Sequence, residues 1–402
     1  MSSTTSPNTQ AILLLTSPLL AGGGQVPGQL YGAAEYLRLA RGLHEQGLAP
    51  HDLLAARADE VITTCFPEEA ARLRGLLGRG LVLAEALRKW SSVGIEVISR
   101  ADEHYPKRLQ DRLQEMGAHR PPVVFCIGNR ALAEKGGLAM VGSRDASDAD
   151  LEWTAAVAKH QVDLGGQVVS GGARGVDQAA MLAALGHGGQ CVGFLADGLS
   201  KARRAGKYRN HLKEGNLLLL SAADPDVGFK PWQAMERNKY VYAMAEEAVV
   251  VQSTQKGGTW EGATEQLKSE QGCPVFLRPD ASSGGLKALN FIGAKWWPAE
   301  RMPKGMVQEP SQEGLTLAPL EDGQKILKRS IVDLLKSGGH IDAKGMGVTD
   351  IKKVLDFPGT RNNLTPVLEA LIDDGTLRKM RNGKYRVIGS PASSTFPPSL
   401  FD

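Results

Sequence analysis

The fold is decided by one stretch of the chain, Val168-Val169-Ser170-Gly171-Gly172-Ala173-Arg174-Gly175-Val176-Asp177. Two β-branched residues lead into a glycine-rich turn, and an alanine-rich helical pattern follows from Gln178 to Leu185. Glycines allow a positive φ and let an anion approach the main chain closely. The helix after the turn directs its N–H groups and the positive end of its dipole at the turn. The pattern therefore predicts an anion-binding turn between a strand and a helix.

A second turn repeats this plan upstream, in Ala139-Met140-Val141-Gly142-Ser143-Arg144. A strand-like run ends there in a glycine, a hydroxyl and a guanidinium. Either turn alone also occurs for packing reasons in α/β proteins, but two at neighbouring strand ends would form one phosphate-binding floor. Neither has the spacing of a dinucleotide fingerprint or a Walker A loop. Tightly bound NAD or ATP is therefore not expected, and no cofactor is predicted.

Strands and helices alternate around the two turns. The strand candidates are apolar throughout, at Leu138–Val141, Gln167–Val169, Cys191–Leu195, Leu217–Leu220, Ala248–Val251 and Pro274–Leu277. Helical patterns separate them, at Asp148–Leu164, Val176–Leu185, Arg203–Glu214, Met235–Ala245 and Trp260–Gln271. Apolar strands separated by helices form a parallel sheet covered on both faces. The predicted fold class is α/β, with a Rossmann-like doubly wound, mostly parallel sheet over residues 91–298.

Composition divides the rest of the 402-residue chain. Residues 1–10 are predicted to be a disordered tail, and residues 11–90 a small helical (SAM-like) domain for packing or dimerisation. Residues 299–322, rich in Pro, Gly, Glu and Gln, predict a linker. Helical patterns and a turn at Arg381-Asn382-Gly383 predict a winged-helix domain over residues 323–388, since Asn-Gly is a strong hairpin signal. A second disordered tail is predicted at 389–402.

Composition also limits the class of function. The hydrophobic content of 42% and charged content of 23% are ordinary for a soluble protein. No stretch approaches the ~20 apolar residues of a membrane span, so a cytoplasmic protein is expected. Four scattered cysteines without a C-x-x-C pair indicate neither a metal site nor a disulfide framework. No pair of acids and no Ser-His-Asp set stands out, so no catalytic residue and no enzyme activity is predicted.

The positive charge is concentrated after the third core strand. Between Gly198 and Lys213 there is no acid, but there are six cations: Lys201, Arg203, Arg204, Lys207, Arg209 and Lys213. Such a segment would follow a phosphate backbone, and the interleaved Tyr208 would stack on a base. The alternative is a solvated helix face. Because the segment follows a strand, we expect it to join the two glycine turns in one continuous site at the carboxyl edge.

The two turns also carry a resemblance to a known family. Gly142-Ser143-Arg144 followed by Ser170–Asp177 resembles the DprA/Smf family of DNA-processing proteins. The resemblance extends over roughly residues 90–280, with departures at Lys239, where the family has arginine, and at Gln252, where it has an acid. It implies a homodimer that binds and protects single-stranded DNA and helps to load the RecA recombinase in transformation or recombination.

The predicted nucleic-acid-binding residues combine the turns, the basic segment and the positions matched by the resemblance. They are Gly142, Ser143, Arg144, Ser170, Gly171, Gly172, Ala173, Arg174, Gly175, Lys201, Arg203, Arg204, Lys207, Arg209, Arg237, Asn238, Lys239, Lys256, Gly257 and Gly258.

Two alternatives remain open from the sequence. Gly257-Gly258-Thr259-Trp260-Glu261 is similar to the turn of lysine-decarboxylase-like phosphoribohydrolases. In that case the glycine turns would bind a nucleotide, as a sensor or as an enzyme with Glu261 or Glu265 as the acid. The second alternative is a duplex-DNA-binding regulator, in which Arg361–Leu371 is the recognition helix of the winged helix.

Overall fold

The computed structural model describes residues 5–303, apart from 24, 27, 116–119 and 280–282, and four short stretches near the C-terminus. Those stretches are 368–369, 371–372, 376–379 and 385–387. The described residues up to 290 belong to one compact unit, and the C-terminal stretches belong to a second.

Five α-helices open the chain: α1 (Pro7–Thr16), α2 (Ala33–Glu45), α3 (Ala58–Cys65), α4 (Ala70–Leu77) and α5 (Gly80–Ser92). Helix α1 begins where the Ser6 hydroxyl accepts a hydrogen bond from the Thr9 N–H at 3.2 Å and Pro7 takes the first helical position. Both features favour a helix start. The predicted disordered tail over residues 1–10 is therefore wrong from Pro7 onward.

The helical segment shares its core with the sheet. Helix α1 packs against the first two strands, β1 (Glu96–Ser99) and β2 (Val123–Gly128). Trp90 of α5 meets Phe125 of β2 edge-on, with ring centroids 5.1 Å apart. The Asp102 carboxylate accepts hydrogen bonds from the hydroxyls of Ser6 and Thr9 at 2.7 and 2.6 Å. The boundary predicted at residue 90 therefore does not separate two hydrophobic cores.

Nine strands form one sheet in the described part of the chain. After β1 and β2 come β3 (Leu138–Val141), β4 (Gln167–Ser170), β5 (Gln190–Leu195), β6 (Leu217–Ser221), β7 (Glu247–Val250), β8 (Val275–Leu277) and β9 (Lys295–Trp296). Their order is β1-β2-β6-β5-β4-β3-β7-β8-β9. Strands β3 to β9 pair in parallel, while β2 runs antiparallel to β6 and β1 antiparallel to β2. The predicted α/β fold with a mostly parallel sheet is confirmed.

Helices cover the sheet between the strands. They are α6 (Lys107–Glu115), α7 (Asp148–Asp163), α8 (Val176–Gly186), α9 (Leu199–Arg204), α10 (Gly206–Glu214), α11 (Pro231–Ala243), α12 (Gly258–Lys268) and α13 (Gly284–Phe291). The single helix predicted over 203–214 is wrong, because the extended backbone of Ala205 (φ −67°, ψ 121°) separates α9 from α10.

The winding direction of the chain reverses at β3. From β3 the chain proceeds through β4, β5 and β6 on one side, and it then returns to place β7, β8 and β9 on the other side. Ligands of open α/β sheets bind at the carboxyl ends of the strands that flank such a switch point. The fold therefore places a crevice among the loops that follow β3, β4 and β7.

The C-terminal unit is described only in part. Strands β10 (Leu377–Lys379) and β11 (Tyr385–Val387) pair antiparallel, as predicted for the last two strands of the winged helix. The Arg381–Gly383 turn, most of the predicted helices of residues 323–388 and the tail at 389–402 lie outside the described residues.

The predicted linker begins too early. Residues Ala299–Arg301 form a short 3-10 helix, and the Arg301 guanidinium stacks on the Trp297 ring at 4.2 Å and bonds to the Glu247 carboxylate. These contacts attach residues 299–301 to the sheet. The remainder of the predicted linker, from residue 304, lies outside the described part of the chain.

Candidate nucleic-acid interface

The two glycine turns contact each other at the switch point. The Val176 N–H donates to the Ser143 carbonyl at 3.3 Å, and the Ser143 N–H donates to the Gln252 carbonyl after β7 at 3.0 Å. Gly175, at φ +87°, lies so close that an added Cβ would overlap the Ser143 carbonyl. The loops after β3, β4 and β7 thus form one continuous floor.

A cleft of about 400 Å³ opens over this floor. Its lining includes Gly142–Arg144, Ala173, Ser253–Thr254 and residues of α11. Helix α8 begins at Val176 and α12 begins at Gly258, both at the edge of the cleft. The positive dipole ends of both helices therefore lie beside the same space, which favours an anion there. At α8 the Val176 and Gln178 N–H groups already donate to the Ser143 and Ala173 carbonyls.

Two of the cations that line the cleft are available to a ligand. The Arg144 guanidinium lies 5.0 Å from the centre of the Phe229 ring, and Lys256 is exposed. Within the described part of the chain neither forms an ion pair. By contrast, Arg174 at the rim is 76% exposed and pairs with Asp145. The cleft therefore offers a net positive lining.

The third lining cation, Arg237, has a supporting role. Its side chain is only 5% exposed, and its guanidinium donates to the Asp177 carboxylate at 3.1 Å. The guanidinium also fills the space beside Gly171, where an added Cβ would overlap it. Burial raises the pKa of Asp177, and the adjacent guanidinium opposes that rise. This buried pair supports the Ser170–Gly175 turn from below.

Ser170 cannot contact a ligand as predicted. It is fully buried, and its hydroxyl donates to the Met140 carbonyl at 2.6 Å. Two further predicted residues lie on α11 and already have partners. The Asn238 amide donates to the Gly258 carbonyl at 2.8 Å and so fixes the start of α12. Lys239 pairs with Glu236 at 3.3 Å and does not line the cleft. Most of the residues predicted from the family resemblance therefore support the structure of the site.

The cations of the basic segment face two different parts of the protein. The Lys207 ammonium donates to the Gln178 side chain in the first turn of α8 at 2.6 Å. Burial and the nearby Lys201 charge lower the pKa of Lys207. Through its bond to Gln178, Lys207 lies beside the helix that follows the Ser170–Gly175 turn. Arg203 and Arg204 instead line a different groove.

Tyr208 does not provide the predicted stacking surface. Its ring is 2% exposed, and its hydroxyl points to the Met181 sulfur at 4.0 Å. Sequence reasoning missed the residues that do expose apolar surface at the cleft. Phe229, Trp232 and Met235 are 46%, 58% and 50% exposed, and Phe229 and Met235 line the cleft. In the sequence, the stretch Phe229-Lys230-Pro231-Trp232, just before the helix predicted from Met235, could have identified them.

The described residues give no support to metal or small-nucleotide chemistry. They contain no group of three His, Cys, Asp or Glu side chains that could hold a metal ion. Glu261 and Glu265, the candidate acids of the phosphoribohydrolase alternative, are exposed on α12 and do not line the cleft. No helix in the described ranges is both long enough and apolar enough to span a bilayer.

Comparison with known proteins identifies the class of protein. The family described as DNA recombination-mediator protein A matches residues 96–299, half of this chain. The chain belongs to that family. DNA processing protein DprA of Bacillus subtilis (strain 168) is 28% identical over 226 residues, 54% of this chain and 73% of that protein. Protein Smf of Escherichia coli (strain K12) is 28% identical over 185 residues, 46% of this chain and 48% of that protein. The resemblance to the DprA/Smf family is confirmed.

Solved structures of two family members are also similar. The DprA of Streptococcus pneumoniae shares 20% identity at a TM-score of 0.48, with 73% of this chain and 94% of that chain covered. The DprA of Helicobacter pylori, whose single-stranded-DNA-binding mode has been described, shares 22% identity at a TM-score of 0.42, with 50% and 90% covered.

Proposed function

We propose that this protein binds single-stranded DNA in the cleft at the switch point, with little sequence preference, and acts as a recombination mediator. The observation that carries the proposal is the junction of the two glycine turns under a cleft lined by Arg144 and Lys256. Backbone N–H groups, two helix N-termini and free cations suit a phosphate, and none of them reads a base.

The exposed aromatic rim favours a single strand over a duplex. Phe229 lines the cleft, and Trp232, in the first turn of α11, is 58% exposed three residues further along the chain. Unpaired bases stack on exposed aromatic rings, with about 1–3 kcal/mol per base, whereas the bases of a duplex are already stacked on each other. This arrangement also favours a polymer over a single small nucleotide.

Binding measurements test this proposal. We expect fluorescence anisotropy titrations to show tighter binding to a labelled single strand than to a duplex of the same sequence at the same salt. Arg144→Ala should weaken single-strand binding at least severalfold, because a charged hydrogen bond contributes about 1.5–3 kcal/mol. Lys256→Ala should flatten the slope of log K against log salt by about 0.7, the value for one lost single-strand phosphate contact.

A matched control is Arg57→Ala, which removes an exposed arginine before α3 that pairs with Asp52 and lines neither cavity. It should leave affinity and salt slope unchanged. Equal or tighter duplex binding would contradict the proposal. So would unchanged affinity in Arg144→Ala together with loss of binding when residues 323–402 are removed, since that result would place the site in the C-terminal segment.

The aromatic rim gives a separate prediction. Trp232→Ala should weaken binding to oligonucleotides by about 1–3 kcal/mol, and its salt slope should stay that of the unchanged protein, because stacking releases no counterions. Tyr208→Phe is the control, since that ring is buried. A changed salt slope in Trp232→Ala, or an affinity equal to that of the unchanged protein, would rule out stacking at this position.

We also propose, from the family resemblance, that a homodimer of this protein passes the bound strand to a RecA recombinase. Sedimentation of the purified protein measures the dimer. A RecA filament-assembly assay on DNA coated with single-strand-binding protein measures the transfer. Failure of assembly to accelerate would contradict this step without affecting the binding proposal.

A further inference from the structure

A second groove lies between α9 and the N-terminal helices, apart from the cleft. Its volume is about 450 Å³. It is lined by Leu20, Ala21, Lys89, Trp90, Val93, Ser200, Arg203, Arg204 and Asp226. Three of these side chains are cationic and one is acidic, so the lining is positive overall.

The two arginines of the groove have no partner in the described part of the chain. Arg203 is half-buried and Arg204 is exposed, and neither forms an ion pair or a side-chain hydrogen bond there. The single acid, Asp226, already accepts a hydrogen bond from the Trp90 indole N–H at 3.2 Å. A planar guanidinium left without a carboxylate suits a phosphate, which it can bind through two parallel hydrogen bonds.

Both walls of the groove are attached to the loop that follows β6. The Asp224 carboxylate accepts hydrogen bonds from the Ser17 hydroxyl at 2.9 Å and from the Leu20 N–H at 3.3 Å. The Ser200 N–H at the start of α9 donates to the Pro225 carbonyl at 3.0 Å. The walls of the groove are therefore held by hydrogen bonds before a ligand arrives.

Helix α9 connects this groove to the cleft. It follows β5, the neighbour of β4, so it lies at the same carboxyl edge of the sheet as the cleft. Beyond its end, Lys207 bonds to Gln178 of α8, while Arg203 and Arg204 line the groove beside α5. A helix of this length measures about 9 Å. A backbone that leaves the cleft along this edge of the sheet would pass α9 and reach both arginines.

We propose that this groove is a second phosphate-binding site, which holds the sugar-phosphate backbone of the single strand where it leaves the cleft. The proposal rests on the proposed function of the cleft, and it gives the N-terminal helices a part in DNA binding, because α5 forms one wall of the groove. Lys89 on that wall already pairs with Glu85 and donates to the Ala21 carbonyl, so the two arginines carry the site. The groove adds length-dependent affinity: a strand that fills only the cleft does not use it.

The test compares oligonucleotides of about 6 and about 20 nucleotides, which lie within and beyond the site size of a single small binding module. In the Arg203→Ala, Arg204→Ala double variant, affinity for the long strand should fall about tenfold or more. Its salt slope should flatten by about 1.4, the value for two lost contacts. Affinity for the short strand should not change. The Arg203→Lys, Arg204→Lys variant should keep most of the salt slope, and Arg57→Ala should behave as the unchanged protein with both strands.

Each other outcome overturns the proposal in a distinct way. Equal loss with both strands would assign the arginines to the cleft. Unchanged affinity for the long strand would remove the groove from the DNA path. Poly-glutamate serves as a probe for acidic protein segments. If the double alanine variant loses binding to it but keeps its DNA affinity, the groove binds an acidic protein segment. If the unchanged protein binds neither strand, the proposed function itself fails.

Discussion

Replacing Asp177 with alanine is expected to lower the free energy of unfolding by about 3–5 kcal/mol. The Arg237 guanidinium is 5% exposed, and its one ion-pair partner among the described residues is the Asp177 carboxylate at 3.1 Å. Without that carboxylate a permanently charged group is left buried in an apolar site. Chemical denaturation of the variant and the unchanged protein measures the difference.

The reverse substitution should behave differently with pH. In Arg237→Met the buried Asp177 can take up a proton, because burial raises its pKa. A carboxyl whose pKa is higher in the folded than in the unfolded protein loses stabilisation as pH rises. The loss in free energy of unfolding caused by Arg237→Met should therefore grow from acidic to neutral pH. The loss caused by Asp177→Ala should not change with pH in this range, since arginine stays charged.

The double variant Asp177→Leu, Arg237→Met is the matched control. An apolar pair of similar volume should recover much of the lost stability, because neither charge is then left without its partner. A double variant as unstable as Asp177→Ala would show that the pair does not act as a unit. The recovered variant also allows DNA binding to be measured apart from stability.

Gly175→Ala is expected to abolish most single-strand binding. Gly175 has φ +87°, and its added Cβ would overlap the Ser143 carbonyl and approach the Arg144 main chain within 2.9 Å. The backbone strain alone costs about 1–3 kcal/mol, and relieving the overlap separates the two glycine turns. A titration with labelled single-stranded DNA should show a loss of at least tenfold in affinity.

Gly188→Ala separates this effect from strain alone. Gly188 follows the other end of α8, has φ +77°, and has open space around its Cβ position. Gly188→Ala should lower stability through backbone strain by about as much as Gly175→Ala does, and it should leave DNA affinity unchanged. If both variants lose affinity equally, or if Gly175→Ala binds as the unchanged protein does, the junction of the turns is not the phosphate site.

The sequence by itself determined the parallel sheet, because apolar strand-like runs alternate with helical patterns along the chain. Runs such as Leu138–Val141 and Leu217–Leu220 are buried on both faces, so local composition alone marks them as central parallel strands. The two glycine turns were likewise visible, because a tight strand-to-helix turn restricts which residue types fit. In the observed strand order β3 and β4 are neighbours, so the two turns that follow them meet at one edge of the sheet.

Only the tertiary structure decided which cations face which space. Arg203, Arg204 and Lys207 are near neighbours in sequence, yet the break at Ala205 separates them: both arginines line the groove beside α5, whereas Lys207 bonds to Gln178 of α8. Burial likewise removed Ser170 and Tyr208 from the site and placed Arg237 beneath Gly171. The aromatic rim at Phe229 and Trp232 arises because α11 begins beside the floor. Each outcome depends on contacts between segments distant in sequence, and local residue patterns do not encode such contacts.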